Sequence, residues 1–425
     1  MFKRLSPKIL IFSLNVILSL LFCFVIHPKI YGVPYSVVND TDAWDKLGMG
    51  VWKNGTLSFY PATEPTIQRA PLYPALIAGL LCITNGVFWL ESLQIIQSVL
   101  LGLTCLLVYY IGESHWNRRT GFFAALASAI YPGFIWFTRR VMLDSIAIFF
   151  FTLLAATLVA LIRKPCLCRF LLTGFILGLC MLLKSTFLPY LVFLPVALLF
   201  TLPRGKRSGI VYIIIVAAAC VAPWTGRNYH LTKKVIPVQS MTGYMVASGD
   251  DFIRDWSTFP FNALELTKAS FRKSVSPRIR HIYNSDHPLS RKELASDSLL
   301  LAQSIEYYKH DPVFLLKKVA YNALLYWMLS VNLPMSIISA LLTIPLLLLA
   351  GVSVWEKVRR GGFRSPDFLL LGMVFLYYSM HLPVLAAARY SIPVMPVVIV
   401  YACVGSFIIY RKLFPTGDSN KTPVI

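Results

Sequence analysis

Long apolar runs, separated alternately by basic clusters and by short polar links, recur along this 425-residue chain, and that alternation leaves few folds open. The runs occupy residues 9–26, 93–112, 120–137, 145–162, 170–183, 186–202, 210–223, 334–354, 368–385 and 392–410. A stretch of ~20 apolar residues crosses a bilayer as a helix, and a shorter one crosses if it tilts or the bilayer thins. Lys3, Arg4 and Lys8 precede the first run. Arg118 with Arg119, segments 163–169, 204–207 and 356–364, and Arg411 with Lys412 then fall at every second boundary. Basic residues gather on the cytoplasmic side, so these clusters set one face and both termini inside. The expected fold class is an all-α polytopic membrane protein with about ten crossings and two extracytoplasmic loops. A further apolar stretch, 71–87, then lies in the membrane or its interface without a net crossing.

Composition matters mainly for what it excludes. With 57% hydrophobic residues and a mean hydropathy of +0.65, a soluble multidomain protein is ruled out. The net charge of +21 is assigned to topology and anionic membrane lipid rather than to nucleic acid, because it comes in short runs between apolar segments. Most of the eight cysteines lie in apolar runs and neither long polar loop holds one, so no disulfide framework is read. Residues 1–26 have the basic start and apolar run of a signal peptide but no small-x-small cleavage pattern, so they are read as a retained first helix. Three parts are expected: 1–223, a transmembrane catalytic module with an extracytoplasmic loop at 27–70; 224–318, an extracytoplasmic lid; and 319–425, the last helices with a short cytoplasmic tail.

The isolated charges that topology leaves unexplained converge on one surface. Asp40, Asp42 and Asp45 lie in the first loop, followed by Glu64, Arg69 and Tyr73; Arg139, Arg140 and Asp144, then Lys184, then Arg389 with Tyr390 all emerge on the same extracytoplasmic side. Ionisable residues beside membrane segments are costly unless solvated or paired, which makes them candidates for a site. Each has a plainer reading too. The loop acids can be ordinary solvated turn residues, Asp144 a first-turn acid worth ~0.3–1 kcal/mol to its helix, and Lys184 a snorkelling lysine. In the lid, Ser290 followed by Glu293 reads as a capping box before a helix over 290–308, stopped by His310, Asp311 and Pro312. The seven histidines have no metal-triad spacing, and neither a phosphate-cradling glycine loop nor a GxSxG elbow occurs. No preformed metal triad is therefore read, while a divalent ion near the loop acids stays open.

Four local patterns resemble the GT-C class of polytopic glycosyltransferases, in the branch of protein O-mannosyltransferases and aminoarabinose transferases. They are Asp40 with Trp44, Leu47, Gly48 and Gly55; Arg69, Pro71, Leu72, Tyr73 and Pro74; Pro223, Trp224, Arg227 and Asn228 with Val235, Pro237 and Gly243; and Arg389, Tyr390, Pro393 and Pro396. In the first, Trp stands where the family usually has Tyr, and Gly where it has Ala, so Asp42 stays open as an alternative to Asp40. The resemblance implies a GT-C-like helical bundle in a bacterial inner or plasma membrane, its site facing outward. It implies a sugar donor on a polyprenyl or dolichyl phosphate, with Asp40 as base for the acceptor hydroxyl. Glu64, Arg69, Tyr73, Asp144, Lys184, Arg227, Arg389 and Tyr390 would bind substrate, with Arg69, Lys184 and Arg389 meeting the lipid phosphate. Some relatives hold a divalent metal near the acids; nothing in this sequence demands one. The competing functions are a lipid-linked glycan ligase or polymerase and a lipid-sugar transporter. Sugar, acceptor and oligomeric state are not encoded in any motif read here.

Overall fold

Residues 6–32, 42–254, 275–330 and 332–414 are described by the computed structural model, and every regular element among them is helical. The first apolar run forms α1 (Pro7–Leu21), which passes through a π-helical stretch (Phe22–Ile26) into α2 (His27–Tyr31). The loop after it carries a short helix, α3 (Trp44–Asn54), and returns through α4 (Leu72–Ile83) to α5 (Trp89–His115). Next come α6 (Arg118–Ala129) and α7 (Pro132–Thr138), two halves of one run bent by 50° where Pro132 interrupts it. The N-terminal half is completed by α8 (Asp144–Arg163), α9 (Leu167–Leu183), α10 (Tyr190–Thr201) and α11 (Ile210–Thr232). The polar segment forms α12 (Thr242–Arg254), α13 (Ser276–Tyr283) and α14 (Leu289–His310), followed by α15 (Pro312–Met328). Three helices close the chain: α16 (Leu333–Arg359), α17 (Ser365–Ser379) and α18 (Met395–Leu413).

Six segments are long and apolar enough to cross a membrane, 7–31, 89–115, 144–163, 204–232, 333–359 and 388–413, and the bent α6–α7 pair makes a seventh. Their outward faces stay apolar, with Leu341 70% and Leu348 67% exposed on α16. Water would penalise such a surface and lipid would not, so this is a multi-pass membrane protein. Ten crossings require α9, the 185–201 segment and α17 to traverse as well, and all three are shorter than a straight span. By contrast α4, with 12 residues, rises only ~18 Å.

Two features differ from the sequence expectation. Helix α11 continues through Pro223 to Thr232, so the boundary expected at 223/224 falls inside a helix, as 318/319 does inside α15. The Ser290–Glu293 capping box does not form: α14 begins at Leu289 with Pro288 as its N-cap, and Glu293 turns away from its own helix end. A tertiary partner takes that carboxylate instead, as described below.

Candidate active site

The non-helical links of the bundle place the charged residues, and each link is held by buried polar side chains. Between α7 and α8, Gln97 of α5 donates its amide to the carbonyls of Thr138 (3.0 Å) and Arg140 (3.1 Å), which sets Arg140 and presents Asp144 as the first residue of α8. Between α17 and α18, Asn322 of α15 donates to the carbonyls of Leu382 and Val384, while the Tyr326 hydroxyl donates to the carbonyl of Tyr390. The short turn Ala388–Tyr390 is thereby fixed, and with it Arg389. Lys184 stands where α9 ends and a 3₁₀ turn begins. Backbone groups that no helix satisfies must find partners when buried, and these amides supply them.

The links bring distant residues together. A guanidinium nitrogen of Arg389 lies 3.2 Å from a carboxylate oxygen of Asp42, across 347 positions of sequence. The same guanidinium reaches the Tyr390 hydroxyl at 3.4 Å. Lys184 donates to the Tyr377 hydroxyl at 3.1 Å, sits 3.5 Å from Nε2 of His381, and lies 4.9 Å from the centre of the Tyr390 ring. Asp144 interacts electrostatically with Arg389, Lys184 and Asp42, and Arg140 with Arg389 and Asp144. On the loop side, the Arg69 guanidinium is 5.6 Å from the Trp44 ring, which meets Tyr73 edge-on at 5.4 Å. Trp44 can occupy this position because Gly48, one turn on, lets α3 settle against Ile77 of α4, where a β-carbon would collide. Burial pushes the Asp42 carboxyl up, but Arg389 and Arg69 outweigh it and hold it below the usual carboxylate range.

Asp42, Arg69, Tyr73, Asp144, Lys184, Arg389 and Tyr390 thus belong to one cluster or its immediate wall. Asp40 lies outside the described residues. Two candidates sit elsewhere: the exposed Glu64 accepts from the backbone N–H of Leu289 at 2.8 Å, capping α14, and Arg227 donates to the carbonyl of Thr66 at 2.8 Å and packs on Trp224. Glu64 fastens the first loop to the lid, and Arg227 fastens it to α11. Arg140, Tyr377 and His381 join the cluster in addition to the sequence candidates; Arg140 is one of the isolated charges between apolar runs, and Tyr377 and His381 lie in the second half of the run 368–385. Among the described residues no three His, Cys, Asp or Glu side chains converge as metal ligands. The two described carboxylates of the cluster stand among four cations, a poor environment for a divalent ion that needs oxygen ligands.

A family model described as dolichyl-phosphate-mannose-protein mannosyltransferase matches residues 68–226, which include Arg69, Tyr73, Asp144 and Lys184. Oligosaccharyltransferase AglB from Archaeoglobus fulgidus, solved with an inhibitory peptide and a dolichol-phosphate, superposes with a TM-score of 0.56 at 13% identity, over 96% of this chain and 50% of that one. Its apo form gives 0.57 at 14% identity, over 96% and 51%. The fold is that of the GT-C membrane glycosyltransferases. The chain spans about half the length of the archaeal chains it matches. ArnT from Cupriavidus metallidurans bound to undecaprenyl phosphate aligns with a TM-score of 0.41 at 13% identity, over 98% of this chain and 81% of that one. Curated protein sequences give no match.

Proposed function

We propose that this protein moves a sugar from a polyprenyl-phosphate-linked monosaccharide to an acceptor on the extracytoplasmic face, with inversion at the anomeric carbon. The observation that carries the reading is the convergence of Arg69, Arg140, Lys184 and Arg389 around only two described carboxylates, Asp42 and Asp144, where bundle and first loop meet. Breaking the bond from sugar to phosphate turns a singly charged phosphodiester into a phosphate monoester bearing up to two negative charges. A surplus of cations therefore favours the transition state over the bound donor. Lys184 and Arg389 are the proposed partners of the departing phosphate, with Arg69 beside them. Asp40 is the proposed base: it takes the acceptor proton as that oxygen bonds to the anomeric carbon and the lipid phosphate leaves. Asp42 is a weakened base, because a carboxylate held by two guanidinium groups gives up that stabilisation on protonation.

The acceptor is a lipid, a glycan or a protein. The family model and the dolichol-phosphate complex of AglB support a polyprenyl-phosphate carrier. Ten crossings in a bacterial plasma membrane, with the cluster outside, complete the proposal; a cysteine in segment 204–207 is then labelled only from the cytoplasm and one at Ser285 only from outside. The decisive experiment compares the lipids and glycans of the cell envelope by mass with and without the gene. Loss of one sugar residue from one component, restored by wild type and not by Asp40→Asn, supports transfer. A changed length distribution of a lipid-linked polymer indicates a ligase or polymerase instead.

A further inference from the structure

The bend of chain just before Arg69 is pinned on several sides, and one pin comes from the lid. Thr66 and Ile67 are fully buried in a segment with no helix or strand, yet each of their backbone polar groups is bonded. The Thr66 N–H donates to the carbonyl of Leu57 (2.8 Å), and the Thr66 carbonyl accepts from Arg227 (2.8 Å). The Ile67 carbonyl accepts from the N–H of Ser240 (2.9 Å), and the Ile67 N–H donates to Glu293 of α14 (2.8 Å). The other oxygen of the same carboxylate accepts from the Thr66 hydroxyl at 2.7 Å. Glu293 is 1% exposed. A carboxylate buried for stability alone gains little over an apolar residue, since desolvation offsets much of what its bonds return. What it supplies is geometry: two acceptor oxygens in one plane fix a hydroxyl three residues and an amide two residues before Arg69.

We propose that Glu293 is the positioning residue for Arg69, holding the loop so that the guanidinium sits near the Trp44 ring and acts on the charge of Asp42, and tying the seating of the lid to transfer. The inference rests on the glycosyltransferase reading of the cluster. Its reach is short: only Gln68 lies between Ile67 and Arg69, and the Gln68 N–H is itself held by the Thr66 hydroxyl at 3.1 Å. Asp297, one turn along α14, joins these contacts to the rest of the lid: it accepts from the Ser240 hydroxyl and from the N–H of Tyr244, with Gly243 leaving no room for a β-carbon against the Asp297 carbonyl.

The test uses the full chain in nanodiscs with a polyprenyl-phosphate-linked sugar that wild type turns over. Glu293→Gln keeps shape and volume but offers one acceptor oxygen instead of two; Thr66→Val removes only the hydroxyl tie. Both are expected to speed amide exchange in residues 64–70. Both are expected to lower kcat by about tenfold while the KM for the donor moves less than about threefold, the signature of an interaction used in the transition state. In an Arg69→Ala background Glu293→Gln is expected to cost nothing further, since residues acting through one another are not additive. Unchanged exchange in 64–70, or penalties that multiply in the double variant, overturns the proposal while transfer itself stands. A wild type that turns over no such donor overturns the transfer reading and this inference with it.

Discussion

Asp367 and Lys184 contact the two ends of α17 and show two ways of keeping charge inside an apolar bundle. At the N-terminal end, one oxygen of Asp367 meets Lys357 (2.5 Å), Tyr401 (2.7 Å) and His115 (2.8 Å), and the other accepts the backbone N–H of Arg364 (3.0 Å). None of the Asp367, Lys357 and His115 side chains is more than 3% exposed. At the C-terminal end Lys184 meets Tyr377 and His381, and close by Asp42 and Arg389 remain 26% and 32% exposed although they touch. Four helices, α5, α16, α17 and α18, meet in the first cluster, and its charges are spent on one another. Cations outnumber the described acids in the second, and water reaches it. Satisfied and sealed charge holds helices in register; unspent, accessible charge can receive an anion.

The sharpest way to break this comparison is to exchange the two kinds of loss. Asp40→Asn is expected to lower transfer by ~10²–10⁴-fold with the protein still folded, the usual cost of removing a general base. Asp42→Asn is expected to cost less. Initial rates in nanodiscs decide it, and a deeper loss at Asp42 moves the base there. Asp367→Ala is expected to act in the other sense, destabilising the bundle by ~3–5 kcal/mol because Lys357 loses its buried partner. Its thermal unfolding should fall well below that of wild type while the folded fraction turns over donor normally. If Asp367→Ala instead slows turnover at unchanged stability, the two clusters do not differ as described.

Smaller effects sharpen the contrast. Lys184→Ala and Arg389→Ala are each expected to weaken donor use about 10- to 100-fold, the worth of one charge-assisted contact, with little change in melting. Varying donor and acceptor separately checks this; an effect confined to acceptor dependence removes both residues from the phosphate. The least effect is a pH slope. Burial raises the Glu293 carboxyl to about 7, against its bonds from Ile67 and Thr66 and the charges of Arg227 on α11 and Arg69 on the loop. Tyr244 of α12 and Tyr283 of α13 also face it, and both titrate above the ordinary tyrosine range. For a carboxyl raised on folding, the stability it contributes is complete below its ordinary value of 4.5 and is lost as pH climbs through about 7. Wild type should therefore lose melting temperature relative to Glu293→Gln between pH 5 and 8. Parallel curves would mean that Glu293 carries its charge without penalty.

The helical membrane architecture was legible residue by residue, since hydropathy is a local property and a bilayer demands helices of a certain length. Much of the site was legible too, by a coarser rule: Asp144, Lys184 and Arg389 lie at positions where apolar runs begin or end on one inferred face, and the bundle gathers such ends. That rule also had Arg140 in view, and it missed Tyr377 and His381 only because they fall inside a run. Glu64 and Arg227 stand apart from the cluster and fasten the first loop, to the lid and to α11 respectively. Nothing local announced Asp367 with Lys357 and His115.

From the sequence alone came the class of molecule and the grouping of its isolated charges at the ends of apolar runs. Only the tertiary structure decided which charge meets which. Asp42 and Arg389 pair across 347 positions, and Glu293, which by sequence should cap its own helix, bonds Thr66 and Ile67 more than 220 positions away. A carboxylate accepts from whichever donors remain unsatisfied once the helices have packed, and no window of sequence contains both partners.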